Sequence, residues 1–152
     1  MTHEARKAID IITIQMVKER RFLYGGNRIT APGQAAEAFI NLLGNPDREF
    51  FVALLVDGKN RISALHVVSE GSLNQSIVHP RETFKAALLA NSAAVILAHN
   101  HPTADLTPSS EDLAITRRLR EAGELLGVKV LDHIIVDTNT GDFRSFVESG
   151  LM

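Results

Sequence analysis

Apolar positions follow two rhythms along this chain. Over residues 4–23, Ala5, Ile9, Ile12 and Met16 recur at helical spacing and predict an amphipathic helix, closed by Tyr24-Gly25-Gly26-Asn27. A second helix is predicted from Pro32 to Leu43, with Pro32 in its first turn and Gly44 just past its end. The rhythm then changes. Phe50 to Val56 is a continuous apolar run of strand formers, Asp57-Gly58-Lys59-Asn60 is a turn, and Arg61 to Ser69 completes a hairpin. Gln75 to Val78 reads as a short strand and Pro80 to Ala90 as a helix. Residues 93–99 form a buried strand and 100–107 a polar loop. Thr107 as N-cap and Pro108 at the first position then open a long helix. Leu113, Ile115, Thr116, Leu119, Leu125 and Leu126 are its predicted core face, and Gly127 ends it. Strands follow at 128–136 and 143–147. This order predicts an α/β fold, a mixed sheet flanked by helices on both faces.

The 152 residues suit one folded core, with 45% apolar and 22% charged positions. A net charge of −2 gives no global attraction to nucleic acid or an anionic membrane, so DNA binding is not supported by charge. No apolar stretch is long enough to span a bilayer, and no signal peptide is visible. Cysteine is absent, which removes disulfides and thiolate sites and fits a cytoplasmic location. It also excludes the zinc deaminases, whose site needs a cysteine pair.

The candidate chemistry lies in residues 99–112. His99 and His101 are spaced i, i+2 at a strand end, so both side chains share one face, with Cα atoms about 6.5–7 Å apart. Asp112 follows after a loop stiffened by Pro102 and Pro108, in the first turns of the next helix. Two imidazoles, one carboxylate and no cysteine suit a catalytic Zn²⁺ that keeps a water in its fourth position. The same ligands also accept Fe²⁺, Mn²⁺ or Co²⁺. Ser109, three residues before Asp112, either opens the helix or offers its hydroxyl to an oxyanion. A carboxylate must also carry the proton of the activated water. Glu49, Glu70, Glu82 and Glu111 are candidates; Glu111 precedes a ligand on a helix and points elsewhere, and periodicity does not choose among the other three.

His99-x-His101-Pro102 followed by Ser109-x-x-Asp112 resembles the JAMM motif of the JAB/MPN metalloprotease superfamily. Within it, the flanks look like the RadC-like group: Arg48-Glu49-Phe50, Asp57 to Arg61, Glu70 to Asn74, Val78 to Glu82, Ala93 to Pro102, and Leu126 to Val136. The likeness runs from about Ala31 to Val147. It implies a cytidine-deaminase-like three-layer α/β/α domain over residues 31–152, preceded by the helical extension 1–30. It implies one Zn²⁺ on His99, His101 and Asp112, Glu49 as general acid/base, and Ser109 as the oxyanion-side hydroxyl. The implied reaction is hydrolysis of an amide or isopeptide bond in a protein or peptide substrate. The sequence departs from the group in one loop position, Ala104, where a glycine is usual. It also has too few residues before the shared region for the helix-hairpin-helix segment of longer members.

Other features read more plainly. His79 and Pro80 begin a helix, and Arg81 or Glu82 pairs ionically or meets substrate. His133 reads as a hydrogen-bonded sheet residue rather than a fourth ligand. The clusters Lys18, Arg20, Arg21 and Arg117, Arg118, Arg120 read as solvated faces. The first helix is a candidate homodimer surface. The competing function is a non-catalytic, metal-stabilised module acting in DNA repair or recombination. A metallo-β-lactamase-like nuclease is disfavoured because Thr103 and Ala104 stand where its pattern needs other residues, and a cupin would require an all-β chain.

Overall fold

A computed structural model describes residues 6–25, 28–71 and 78–152. Helix α1 (Pro32–Leu43) is followed by strands β1 (Phe50–Val56) and β2 (Ile62–Glu70), then helix α2 (Pro80–Leu89). Strand β3 (Ala94–Asn100), helix α3 (Ser110–Leu126), and strands β4 (Lys129–Val136) and β5 (Phe143–Ser145) complete the order. The strands form one sheet, β2-β1-β3-β4-β5. Only β3 and β4 pair in parallel, because α3 carries the chain back across the sheet between them.

The central strands are apolar on both sides because both faces are covered. Val52, Leu54, Val56, Ile96, Ala98, Ile134 and Val136 pack under α1, against Ala35, Ala36, Ala38 and Phe39. The alternate residues Phe51, Ala53, Leu55, Val95 and Leu97 pack under α2 and α3, against Phe84, Ala87, Ile115 and Leu119. This is the predicted mixed sheet with helices on both faces, an α/β fold consistent with JAB/MPN domains. Gly44 ends α1 at φ +63°, and Gly127 ends α3 in the left-handed conformation.

Three local expectations are corrected. Residues 6–25 carry no helix or strand, and Ile9, Ile11, Ile12, Ile14, Val17 and Leu23 are exposed. Their β-branched side chains lower helix propensity, and they surround a helix instead of forming one stripe for a partner to cover. Residues 4 and 5 of the predicted helix lie outside the described residues, as do 75–77 of the predicted short strand; Val78 is buried without belonging to a strand. The α3 N-cap is Ser109, not Thr107, so the helix starts at Ser110, two residues past Pro108. At its other end, Leu125 and Leu126 face solvent and not the core.

Candidate metal centre

Strand β3 ends where the parallel strand β4 also ends, and the N-terminus of α3 packs there. This is where α/β sheets ordinarily place their sites. The sheet alternation points His99 towards the α2/α3 face, in register with Phe51 of β1. His101 follows two residues later on the same face. Asp112 arrives from the first turn of α3, held by a reciprocal cap. Ser109 Oγ accepts from the Asp112 N–H at 3.0 Å, and Asp112 Oδ2 accepts from the Ser109 N–H at 2.8 Å. The cap explains the shifted helix start: two side chains satisfy N-terminal donors at once, whereas Thr107 would satisfy one.

The three groups converge. His99 Nε2 lies 2.9 Å from His101 Nε2 and 3.3 Å from Asp112 Oδ1. His101 Nε2 lies 3.1 Å from Asp112 Oδ2. One ligand atom from each falls within 4.8 Å of the others, an arrangement that can hold a metal ion. Among the described residues no fourth His, Asp or Glu joins this group.

The surrounding hydrogen bonds fix which imidazole nitrogens bear protons. The Thr116 hydroxyl donates to the Asp112 carbonyl at 2.6 Å, so its oxygen accepts from His133 Nδ1–H. His133 Nε2 must then accept from His99 Nδ1–H, 2.7 Å away. That leaves His99 Nε2 as a lone pair. On the other ligand, His101 Nδ1–H donates to the Asp105 carbonyl, and in the neutral ring Nε2 is again a lone pair. With both rings neutral, two lone pairs and a carboxylate face one point. Such a set is self-repelling unless a cation or proton sits within it, so these residues fit a divalent metal of N/O preference.

Electrostatics follow from burial. His99 and His133 are each fully buried, boxed by Phe51 and Phe146. Burial pushes both imidazoles below the usual histidine value, for His99 against the opposing pull of Asp112. The Asp112 hydrogen bond raises His101, which is less buried. Burial works to raise the Asp112 carboxyl, but its bonds to His101 and His99 prevail and hold it well below the ordinary carboxylate range. It is a permanent anion at neutral pH.

Glu49 stands just before β1. Extending the β1–β3 register, in which Phe51 faces His99, sets Glu49 across from His101 and on the same face. It is half-buried, and its charge raises both histidines. Glu70 faces the other way, in register with Phe50, and its carboxylate meets Arg48 at 3.3 Å. Glu82 pairs with Lys85 at 2.8 Å on α2. Ser109 serves as the α3 cap through its oxygen, which leaves its O–H to donate to a second group. His79 caps α2, its Nδ1 accepting from the Arg81 N–H at 3.1 Å, a structural role.

Two polar residues near the centre escaped the sequence reading. Thr116 was counted only as part of the α3 core face, yet its hydroxyl links Asp112 to His133; its signal was a threonine four residues after a ligand, on the same helix face. Asn100 lies between the two histidines at the end of β3, and its carboxamide bonds the backbone at Phe50 and Arg48.

A family model described as RadC-like JAB domain matches residues 29–151. Several bacterial proteins named UPF0758 protein are similar to this chain. The one from Geotalea uraniireducens is 58% identical over 125 residues, covering 82% of this chain and 54% of its own length. That of Geobacter sulfurreducens is 53% identical over 136 residues, covering 90% and 58%. That of Staphylococcus haemolyticus is 45% identical over 123 residues, covering 81% and 53%. The chain therefore spans about half the length of these curated relatives. With the family's domain matched across residues 29–151 and a histidine, histidine, aspartate cluster at its sheet end, the chain belongs to the RadC-like JAB domain family.

Proposed function

We propose that this domain is a zinc-dependent hydrolase of the JAMM type, cleaving an amide or isopeptide bond in a protein or peptide. The observation that carries this reading is the convergence of His99 Nε2, His101 Nε2 and Asp112 on one point, with Glu49 on the same face. A zinc that serves stability alone is normally enclosed by four protein ligands. Three ligands among the described residues favour an open, catalytic position over a metal-stabilised DNA-repair module.

Zinc bound here supplies a Lewis acid that lowers the pKa of its water to about 7. The residues of the chain do the rest. His99, His101 and Asp112 hold the ion. Glu49 takes the proton released as water adds to the scissile carbonyl, then delivers it to the leaving amine. The Ser109 hydroxyl donates to the oxygen that gains charge in the tetrahedral species. Phe51 and the buried His133 keep the rear of the site dry, so these charges act at low dielectric. No helix among the described residues is long and apolar enough to cross a membrane, and a cysteine-free chain suits the reducing cytoplasm.

The test is cleavage of a proteome-derived peptide library by zinc-loaded protein, read by mass spectrometry. Cleavage that disappears with Glu49→Gln and with chelation is the expected result. Equal cleavage by metal-free protein, or none by any form while zinc binds, would overturn the assignment as a zinc hydrolase.

A further inference from the structure

The β1–β3 ladder stops one residue short of Glu49's flank, and a side chain takes over where the backbone fails. The register pairs Phe51 with His99 and Val52 with Ala98, so its continuation sets Phe50 against Asn100 and Arg48 against residue 102. Residue 102 is proline, which has no N–H to give. The Arg48 carbonyl would lose its ladder partner there. Asn100 bonds the backbone on both sides of Glu49. Its Oδ1 accepts from the Phe50 N–H at 2.8 Å, and its Nδ2 donates to the Arg48 carbonyl at 3.0 Å. The carboxamide acts as a surrogate peptide unit with one donor and one acceptor. On the opposite edge, the Glu49 carbonyl accepts from the Gly71 N–H at 2.8 Å. The backbone on both sides of Glu49 is therefore fixed from β3, and Glu49 itself from the end of β2.

Asn100 is 2% exposed, so these bonds form in a dry environment and are costly to break. Its carboxamide is engaged with the β1 backbone and not with the three candidate ligands. It does not hold metal, yet it fixes the direction in which Glu49 leaves the strand. We propose that Asn100 is the positioning residue for Glu49, its carboxamide replacing the one ladder bond that Pro102 denies, holding the Phe50 N–H as well, and aiming the Glu49 carboxylate at the metal centre. This rests on the reading of Glu49 as proton carrier.

The test uses the full chain loaded with Co²⁺, whose visible absorption reports on the ion's surroundings, followed against pH. Glu49→Gln removes a negative charge beside the ion and should lower the midpoint of the spectral change by about one pH unit. Asn100→Ala should bind Co²⁺ within about threefold of the unaltered protein and move the midpoint the same way, by at least half as much. In the Glu49→Gln background it should add no further shift. Asn100→Ser, which also lacks the carboxamide, serves if the alanine variant fails to fold. A midpoint unchanged by Asn100→Ala or Asn100→Ser, while Glu49→Gln shifts it, would overturn the role of Asn100 alone. An equal shift in the Glu49→Gln background would overturn it as well. A midpoint that ignores Glu49→Gln would instead overturn the reading of Glu49, and this proposal with it.

Discussion

The two faces of the sheet are built from alternate residues of the same strands, and they end differently. Under α1, the row Val52, Leu54, Ile96, Ala98, Ile134 and Val136 is apolar, and packing alone holds Phe39 against it. Under α2 and α3, the row Val95, Leu97 runs into His99, while β4 contributes His133 beside it. There the core changes from hydrocarbon to a buried, fully paired polar chain: His99, His133, Thr116 and the Asp112 carbonyl. One face stores stability and the other spends some of it to orient ligands. Their difference shows how a period-two strand delivers a reactive end without disturbing the layer behind it.

The largest separation of the two faces should come from Phe39→Ala. Emptying this buried site costs about 3–5 kcal/mol of stability in denaturant titration, while zinc affinity of the folded protein stays unchanged. On the other face, His133→Ala should leave most of the packing but free the His99 ring to turn and change tautomer. Zinc affinity should fall roughly 10–100-fold in a competition titration, as outer partners of ligating histidines usually dictate.

Acidity sharpens the contrast in metal-free protein. Burial lowers His99 and His133, so each binds fewer protons folded than unfolded. Their stability contribution is present above about pH 6.5 and is lost as pH falls. His101 is raised and runs the opposite way: its contribution is full below about pH 6.5 and lost as pH rises through the raised value. With three lowered histidines, half-buried His66 among them, against one raised, acidification from pH 7 to 5 should destabilise the domain, each group acting at up to ~1.4 kcal/mol per pH unit. His133→Phe should flatten that slope in urea titrations. The smallest effect belongs to the connecting loop. Ala104 sits at φ +61°, in the left-handed region that favours glycine. Ala104→Gly should relieve strain and raise the melting midpoint, a gain of about 0.5–1 kcal/mol after the added chain entropy is subtracted.

How much of this was legible in the sequence depended on whether the signal was local. The strands β1 and β3 were visible because a strand covered on both faces is apolar along most of its length, and α1 because Pro32 and Gly44 punctuate it. His99, His101 and Asp112 were legible because a strand's alternation and a short loop bring them together. The predicted first helix did not form over residues 6–25, since spacing alone says nothing about whether a partner surface exists for the stripe. The start of α3 moved because Thr107-Pro108 and Ser109 both carry start signals, and only the reciprocal bonds to Asp112 choose between them. Thr116 and Asn100 were not legible as site residues, because each acts with a partner from another element, Thr116 with His133 of β4 and Asn100 with the backbone at the start of β1.

The central claim is that His99, His101 and Asp112 form one metal-holding point. The most direct test is zinc content after dialysis, measured by mass spectrometry beside protein concentration. The unaltered chain should retain about one zinc per molecule, and Asp112→Asn, which can still cap α3, should retain almost none. Equal zinc in both proteins, or none in the unaltered chain under zinc-replete conditions, would contradict the account.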